Sequence, residues 1–305
     1  MSASPSRVTA GEWITAAARR LRRAHAFFGH GTTTAEEEAL WILAHVSKTL
    51  PQRLIEALQR PAAPAHRRRA DELIASRIRS RKPAAYLLGE AWLEGMRFHV
   101  DERVIVPRSF IAELLREGLE PWLQAKTQNV LDMCTGSGCL AILAAKRFPA
   151  AAVDAVDLSE DALAVAAINL RRHRLGKRIR LGRSDLFSQL PERGYDLILS
   201  NPPYVDARSM RTLPPEYRHE PALALAGGKD GLDLVKKIIA AAPRYLSQQG
   251  VLVVEIGHNR KAMELALPRT AFTWLETSAG DGFVFLLTQP QVLEAGKTLA
   301  GEKRR

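Results

Sequence analysis

A short apolar strand that leads into a glycine-containing loop and then into an apolar helix constrains the fold of this chain more than any other feature. The segment 129–133 (NVLDM) has the strand pattern, Gly136 and Gly138 follow it, and 140–148 (LAILAAKRF) has a helical pattern. Doubly wound α/β folds use this arrangement to bring backbone N–H groups close to a cofactor. The dinucleotide fingerprint needs a third glycine where Ala141 stands, so the loop indicates the fold and leaves the ligand open.

Polar residues also stand where other strands of the predicted sheet end. Asp157 follows the apolar segment 151–156 (AAVDAV), and a carboxylate there can accept hydrogen bonds from both ribose hydroxyls of an adenosine-containing cofactor. The N-cap of a helix over 159–169 is an alternative role for Asp157. Asp185 follows the next strand and is placed to reach an adenine amino group. Because open α/β sheets bind ligands at the carboxyl ends of their strands, we expect one site formed by Asp132, Gly136, Asp157, Asp185 and Asn201.

The segment 201–204 (NPPY) follows another apolar strand, 195–200 (YDLILS). The side-chain oxygen of Asn201 and the backbone carbonyl of Pro202 can both accept hydrogen bonds from one NH2 group. Neither proline has an N–H that would compete for these acceptors, and Tyr204 offers a flat face to a planar amide or base. A proline pair after a strand is often only a turn, and the glycine loop upstream is what favours a clamp for an amino group. This interpretation makes Asn201, Pro202 and Tyr204 catalytic and the whole segment, Pro203 included, substrate-binding.

Together, the loop 132–138 (DMCTGSG) and the segment 201–204 resemble the class I S-adenosylmethionine-dependent methyltransferases. More narrowly, the chain resembles the HemK-like protein-glutamine methyltransferases, from its amino-terminal helical region to about Leu287. One branch of that family methylates the Gly-Gly-Gln glutamine of release factors, and the other a glutamine of large-subunit ribosomal protein L3. The segments 106–109 (VPRS) and 216–221 (EYRHEP), together with 111–114 (IAEL) and 204–207 (YVDA), are similar to the ribosomal-protein branch.

The resemblance implies an α/β fold with a Rossmann-like, mostly parallel sheet and a small amino-terminal helical domain joined to it by a β-hairpin. The expected boundaries are a substrate-recruiting helical domain over 1–85, the hairpin over 86–106, the methyltransferase domain over 107–290 and a frayed basic tail over 291–305. S-adenosylmethionine is the implied cofactor. The cofactor-binding residues expected from the resemblance are Asp132, Thr135, Gly136, Ser137, Gly138, Asp157, Asp185, Leu186 and Asn201.

Three other functions compete with glutamine methylation of L3. A clamp of this kind also fits the exocyclic amino group of a nucleic-acid base, although base-modifying enzymes usually carry a base-flipping or nucleic-acid-reading module. Release-factor methylation is disfavoured by the VPRS segment and by His219. A ribosome assembly factor without catalytic activity could retain the cofactor site, and the fold by itself does not decide among these functions.

The net charge is +11, and the basic residues are clustered. The segment 53–82 contains nine Lys/Arg and three acidic residues, and 171–183 (RRHRLGKRIRLGR) contains seven Lys/Arg and no acidic residue. Such clusters attract phosphate backbones, so contact with ribosomal RNA is one interpretation and a solvated surface is the other.

The sequence has two cysteines, Cys134 and Cys139, and both lie in the glycine loop. We expect them to pack there as small apolar residues rather than to form a disulfide, which is typical of a protein of the reducing cytoplasm. No metal-ligand spacing, signal peptide or apolar run of about 18 residues is present, so we expect neither a metal nor a membrane span.

Four further residues and two secondary-structure patterns complete these expectations. Arg108 could meet a cofactor carboxylate or brace the hairpin, and Glu113 could be an ordinary surface residue. His219 and Glu220 could form an acid/base pair, but shaping of a loop over the site is favoured. The alternation in 98–100 (FHV) and 104–106 (VIV) predicts the hairpin, and 13–28 predicts an amphipathic helix, with Thr33 or Thr34 capping the next one.

Overall fold

Residues 8–123 and 127–302 are described by the computed structural model, and the chain divides into two units. The first unit is Met1–Ala91 with Pro214–His219, and the second is Trp92–Leu213 with Glu220–Arg305. The boundary therefore falls inside the first strand of the hairpin, and a short distant segment of the chain folds with the first unit.

The first unit is helical. Thr9 begins the first helix with a capping box, because its hydroxyl accepts from Glu12 N at 3.2 Å while the Glu12 carboxylate accepts from Thr9 N at 2.8 Å. Thr34, rather than Thr33, caps the second helix by accepting from Glu37 N. The first helix ends at Arg23, five residues earlier than its amphipathic pattern predicted. The helices are α1 (Ala10–Arg23), α2 (Ala35–Val46), α3 (Pro51–Glu56), α4 (Pro64–Ser80) and α5 (Ala84–Leu88).

An ionic cluster lies inside this apolar helical unit. Arg77 of α4 is fully buried, and its guanidinium donates to Glu38 Oε1 at 2.9 Å and to Glu216 Oε1 at 3.0 Å. The same guanidinium donates to the carbonyl of Phe27 at 2.8 Å. Burial raises the pKa of Glu38, and the charge of Arg77 opposes that shift. Glu216 belongs to the distant segment, so the cluster holds that segment within the helical unit.

The hairpin lies a few residues before its predicted position. Its strands are β1 (Glu90–Leu93) and β2 (Met96–His99), and the prediction of a second strand over 104–106 was wrong. Glu94 and Gly95 have φ values of +47° and +69°, which is the backbone that a two-residue hairpin turn requires. Val104 and Val106 are buried without strand pairing, and their alternation reflects packing rather than a ladder.

The second unit is built on a seven-stranded sheet in the described part of the chain, with the order β5-β4-β3-β6-β7-β9-β8. The pairs from β5 to β7 are parallel, and β9 pairs antiparallel to both β7 and β8. The strands predicted at 129–133, 151–156 and 195–200, and the strand expected before Asp185, are confirmed. Their bounds are β3 (Asn129–Met133), β4 (Ala152–Asp157), β5 (Ile179–Arg183), β6 (Tyr195–Ser200), β7 (Leu246–Glu255), β8 (Thr273–Thr277) and β9 (Gly280–Thr288).

Helices cover both faces of this sheet and give it two hydrophobic layers. One layer includes Val130, Leu197 and Val253, and the other includes Leu131, Ile198 and Leu252, as expected when alternate residues of buried parallel strands face opposite sides. The helices are α6 (Ile111–Glu117), α7 (Cys139–Arg147), α8 (Glu160–Arg172), α9 (Asp233–Ala241), α10 (Arg260–Ala266) and α11 (Gln289–Glu302).

The predicted frayed tail over 291–305 is wrong for its described part. Helix α11 continues to Glu302, and Val292, Ala295 and Leu299 are buried in the second layer of the core. These three residues recur at helical spacing, and the basic residues near the end of the chain masked that pattern. Residues 303–305 lie outside the described residues.

The described residues contain neither a membrane-spanning helix nor a cluster of metal ligands. Between residues 8 and 123 and between 127 and 302, no helix is both long and apolar enough to cross a membrane. The same ranges contain no group of three or more His, Cys, Asp or Glu side chains that could hold a metal ion.

Candidate active site

A cleft lies at the carboxyl ends of the parallel strands of the second unit. Its open volume, including space continuous with solvent, is about 780 Å³. The predicted residues that line it are Gly136, Asp157, Asp185, Leu186, Asn201 and Pro203. The structure brings these six residues together at one cleft. The wall of Pro221, Leu223 and Ala224 belongs to the stretch of chain that was expected to form a loop over the site, whereas the wall contributed by 103–105 was not predicted.

The glycine loop between β3 and α7 is fixed to the neighbouring strand. Thr135 N donates to the carbonyl of Val156 at 3.0 Å, and Gly136 N donates to Asp157 Oδ2 at 2.9 Å. Gly136 has a φ of +53° and open space where a Cβ would lie, so its backbone is accessible from the cleft. Gly138 is needed for packing instead, because a Cβ there would meet Ala166 of α8 at 3.2 Å.

Asp132 is placed below the loop rather than in the cleft wall. It is 1% exposed, and its Oδ2 accepts from Thr135 Oγ1 at 2.5 Å and from Ala141 N at 2.9 Å. Burial raises the pKa of Asp132 to about 7, and the two hydrogen bonds only partly oppose this. Thr135, Ser137 and Gly138, which were expected to bind the cofactor, likewise do not appear among the residues described as lining the cleft.

Asp157 and Asp185 both line the cleft, but they differ in how many hydrogen bonds their carboxylates accept from the described residues. The Asp157 carboxylate accepts from Gly136 N and, through Oδ1, from Ser159 N at 2.9 Å. Helix α8 is capped by Ser159, whose hydroxyl accepts from Ala162 N, so the alternative role of Asp157 as its N-cap was wrong. Asp185 is exposed, and its carboxylate makes no hydrogen bond to the residues that the structure describes. Each carboxylate thus retains acceptor capacity toward the cleft.

Asn169 of α8 supports the loop in a way that sequence reasoning missed. Its side chain is fully buried, and its Nδ2 donates to the carbonyls of Ser137 at 2.9 Å and His99 at 3.0 Å. Its Oδ1 accepts from His99 N at 2.6 Å, which ties β2 to the glycine loop. A polar residue on the apolar face of a predicted helix was the signal that could have revealed it.

The Asn201 carboxamide lies at the cleft without an internal partner. Within the described part of the chain it makes no hydrogen bond, and neither does the carbonyl of Pro202. Pro202 and Pro203 are buried, whereas Asn201 is partly exposed. Two acceptors with free capacity therefore stand next to each other at the end of β6.

Tyr204 is enclosed on several sides by backbone. Asn259 Nδ2 donates to its carbonyl at 2.8 Å, and a Cβ on Gly231 would meet that carbonyl at 2.4 Å. A Cβ on Gly257 would meet the Tyr204 ring at 2.6 Å, and one on Gly227 would meet the Tyr204 Cα at 2.6 Å. The three glycines allow a close fit that fixes the position of the NPPY segment.

Glu255 at the end of β7 is a second residue that the sequence did not single out. It is 1% exposed, and it accepts from Ser109 Oγ at 2.6 Å and from Phe110 N at 2.9 Å through Oε2. Its Oε1 accepts from the Tyr204 hydroxyl at 3.2 Å. Burial raises the pKa of Glu255, and these three donors oppose the shift. The carboxylate therefore joins Tyr204 to the start of α6.

Arg108 and Glu220 connect the two segments that contribute these walls of the cleft. The Arg108 guanidinium donates to Glu220 Oε1 at 2.5 Å and Oε2 at 2.7 Å, and Val106 N donates to Oε1 at 3.0 Å. Glu220 is 5% exposed, so it is a structural partner of Arg108 rather than a free base.

The structure also places His219 and Glu113. His219 Nε2 lies 3.0 Å from the carbonyl of Ser80 within the helical unit, which favours loop shaping over acid/base chemistry. The Glu113 carboxylate accepts from Ser278 N and Oγ at 2.9 and 2.5 Å, so it braces the loop between β8 and β9 and is not merely solvated.

A mostly parallel sheet with one antiparallel strand inserted near its edge, a glycine loop after β3 and an NPPY segment after β6 define a class I methyltransferase. The model of the methyltransferase small domain matches residues 112–213, and the model of the PrmC N-terminal domain matches residues 12–89. A methyltransferase from Pyrococcus furiosus is 19% identical over 65% of this chain and 90% of that chain, with a TM-score of 0.47.

Two relatives are similar over nearly the full length. A ribosomal protein uL3 glutamine methyltransferase of Bordetella pertussis is 53% identical over 93% of this chain and 96% of the relative. A protein of the same name from Burkholderia pseudomallei is 49% identical over 94% of this chain and 97% of the relative. The chain belongs to the family of ribosomal protein uL3 glutamine methyltransferases.

Proposed function

We propose that this chain transfers a methyl group from S-adenosylmethionine to the side-chain amide nitrogen of a glutamine in ribosomal protein uL3 (L3). The observation that carries the proposal is the Asn201 side chain at a cleft that the glycine loop also lines. The Pro202 carbonyl follows directly in the chain as a second acceptor, although Pro202 is buried and does not line the cleft. The names of the curated relatives support the choice of substrate.

The residues of the cleft fit the cofactor. The open space at Gly136 leaves a backbone cradle where the amino-acid part could approach. Asp157 would accept from the ribose hydroxyls through the lone pairs that Gly136 N and Ser159 N leave free, and Asp185 would accept from the adenine amino group. When bound, the cofactor supplies an electrophilic methyl group on a sulfonium.

Positioning has to supply much of the catalysis, because the lone pair of a carboxamide nitrogen is delocalised into its carbonyl. Asn201 Oδ1 and the Pro202 carbonyl would accept the two amide hydrogens and direct the nitrogen toward the methyl group. These bonds favour a pyramidal nitrogen, and the alkylated amide is acidic enough to lose its proton to water. Since charge disperses in the transition state, a cleft that excludes water favours the reaction.

Tyr204 would pack its ring on the plane of the substrate amide. Its position is supported by the hydrogen bond to Glu255 and by the close approach of Gly257 behind the ring. The helical first unit, which carries the match to the PrmC N-terminal domain, is the proposed recruiter of the protein substrate.

Methyl transfer in vitro with a mass-spectrometric readout tests this function. The purified enzyme is incubated with labelled S-adenosylmethionine and, separately, with unmethylated uL3, unmethylated release factor and ribosomal RNA. We expect one methyl group on a uL3 glutamine and none on the release factor. Methylated RNA would mean that the NPPY segment holds a base, methylated release factor would shift the substrate to the other branch, and no transfer would favour an assembly role.

A further inference from the structure

The densest basic segment of the sequence, 171–183, separates into two groups in the structure. Arg178 donates to the carbonyls of Phe148 and Ala151, Arg180 donates to Asp154 at 2.9 Å, and Arg183 donates to Glu160 at 2.8 Å. These three arginines are occupied by internal contacts, so the charge count of the segment overstates what is available to a partner.

Three further cations of this segment lie around the end of α8. Arg171, Arg174 and Lys177 are exposed and form no ion pair with any of the described residues. The buried side chain of Leu175 and the left-handed backbone of Arg174, with a φ of +59°, fix the turn that carries them. Two further elements add exposed cations beside this turn. We call the whole set the α8 basic face: Arg97, Lys146, Arg171, Arg172, Arg174 and Lys177.

His173 lies among the cations of the α8 basic face. Its Nε2 lies 3.0 Å from the carbonyl of Arg97 of β2, and its ring centroid is 5.1 Å from that of Phe98. Burial lowers the pKa of His173, and the positive charges of Lys146 and Arg172 lower it further, while the hydrogen bond that the Arg97 carbonyl accepts from the ring opposes these shifts. Both charged groups that act on this ring are therefore cations, and they come from different helices.

Helix stabilisation explains only part of the arrangement. Lys146, Arg171 and Arg172 stand in the last turns of α7 and α8, where cations offset the helix dipole. Arg97 belongs to a strand, and Arg174 and Lys177 lie beyond the end of α8, so the dipole gives no reason for them. Exposed like charges in one place repel one another, and an anionic partner would relieve that repulsion.

We propose that the α8 basic face binds the phosphate backbone of RNA without reading its sequence. Four of its six cations are arginines, whose planar guanidinium matches phosphate in two-point hydrogen bonds. An extended polyanion fits cations that come from the exposed ends of three elements. The choice of RNA as the polyanion rests on the proposed function, since a ribosomal protein meets its partner enzyme where ribosomal RNA is present.

A salt titration tests the proposal directly. Binding of the full chain to a fluorescein-labelled, single-stranded RNA of mixed sequence is followed by fluorescence anisotropy between about 50 and 300 mM salt. In the face variant, Arg171, Arg172, Arg174 and Lys177 are each replaced by Gln. Four lost contacts should lower the slope of log K against log salt by about 2 to 3, and should weaken binding about 10- to 100-fold near 150 mM salt.

A control variant separates the face from net charge. It removes the same number of charges at arginines that are exposed or, for Arg20, half-buried, and that are paired with carboxylates: Arg20, Arg22, Arg69 and Arg244, each replaced by Gln. We expect the control variant to lose much less affinity than the face variant. Equal losses in the two variants, or an unchanged slope in the face variant, would overturn the proposal.

Two further measurements distinguish the partner and the reaction. Polyglutamate of matched charge is titrated in place of RNA, and binding as tight as that of RNA would assign the face to acidic proteins instead. Methyl transfer to free uL3 is measured in the face variant and should be unchanged, because none of its four substituted residues lines the cleft. Failure of methyl transfer to uL3 in the unmutated chain would contradict the proposed function and leave the RNA result standing.

Discussion

Two groups of polar residues in this chain have opposite hydrogen-bonding states. In the helical unit, Arg77, Glu38 and Glu216 are all but inaccessible, and the guanidinium of Arg77 is bonded to both carboxylates and to a backbone carbonyl. At the cleft of the sheet unit, Asn201 and Asp185 make no side-chain hydrogen bond to the residues described here.

The contrast separates residues that stabilise a fold from residues that are kept available for a ligand. A buried charge that is bonded to opposite charges holds a segment in one place, and removing one of its partners is strongly destabilising. An acceptor left without a partner beside a cleft contributes nothing to stability, and its free lone pairs are what a substrate amide needs. Substitutions in the two groups should therefore have different measured consequences.

The largest effect is expected from Arg77→Ala. The change leaves the Glu38 carboxylate buried without its cation and leaves Glu216 with Arg81 alone, at 2.8 Å, which should destabilise the helical unit by about 3–5 kcal/mol. Hydrogen exchange measured peptide by peptide would detect this as faster exchange in α2 and α4, with less change in β3 and β6. The control is Arg69→Ala, since the Arg69–Glu72 pair is exposed and should cost less than about 1 kcal/mol. Equal exchange in the two variants would mean that the buried cluster contributes little.

Asn201→Ala should have the converse effect, because the side chain carries no internal hydrogen bond. By analogy with the loss of one oxyanion-hole donor, we expect turnover to fall about 100- to 1,000-fold with little change in stability. The measurement is kcat on uL3 together with cofactor affinity by calorimetry. Asn129→Ala is the matched control and should retain activity, because Asn129 lies at the amino-terminal end of β3 and the cleft lies at the carboxyl ends of the strands. Near-normal turnover of Asn201→Ala with the cofactor bound would contradict the role of Asn201.

Asp132 lies between these two extremes, since one of its oxygens is bonded and Oδ1 is buried without a partner among the described residues. Its pKa is about 7 in the folded chain and 3.8 is its ordinary value, so between these limits the folded state holds a proton that the unfolded state has lost. Stability contributed by this group is therefore greatest at low pH and declines as the pH rises toward 7, by at most about 1.4 kcal/mol per pH unit. Above pH 7 the penalty is complete and constant.

Asp132→Asn keeps the shape and the acceptor for Thr135 and Ala141 but cannot titrate. Chemical denaturation from pH 4 to pH 8 should give a difference curve, variant minus unmutated chain, that rises toward pH 7 and then levels. Other buried carboxyl groups, such as Glu38 and Glu255, titrate in both proteins and cancel in the difference. A flat difference curve would show that Asp132 is ionised over the whole range.

The sequence predicted the sheet and the position of the cleft because both depend on local patterns. An apolar run followed by glycine or by an acidic residue marks the carboxyl end of a buried strand, and this placed Gly136, Asp157, Asp185 and Asn201 in one region. It could not predict contacts that join distant parts of the chain. Glu255 meets Ser109 across 146 positions and Arg77 meets Glu216 across 139, and no pattern in a single sequence pairs them. The hairpin was misplaced because alternation from packing resembles alternation from pairing.

The smallest effect, and the sharpest test of the cleft, concerns the contact between Tyr204 and Glu255. Glu255→Gln keeps an acceptor for Ser109 and Phe110 but offers the Tyr204 hydroxyl an amide in place of a carboxylate. We expect kcat to fall about 10-fold while cofactor affinity is unchanged. This fall corresponds to a loss of about 1.4 kcal/mol in transition-state stabilisation. Tyr204→Phe should cost a similar amount because the ring loses the same tether. If Glu255 acts through Tyr204, the double variant should be little worse than either single one.

Tyr195→Phe is the matched control, since the Tyr195 hydroxyl donates to Asp154 Oδ2 at 2.6 Å and this contact lies away from the cleft. The loss of that hydroxyl should affect stability more than turnover. Additive losses in the double variant would mean that Glu255 only supports the start of α6 and does not position the ring.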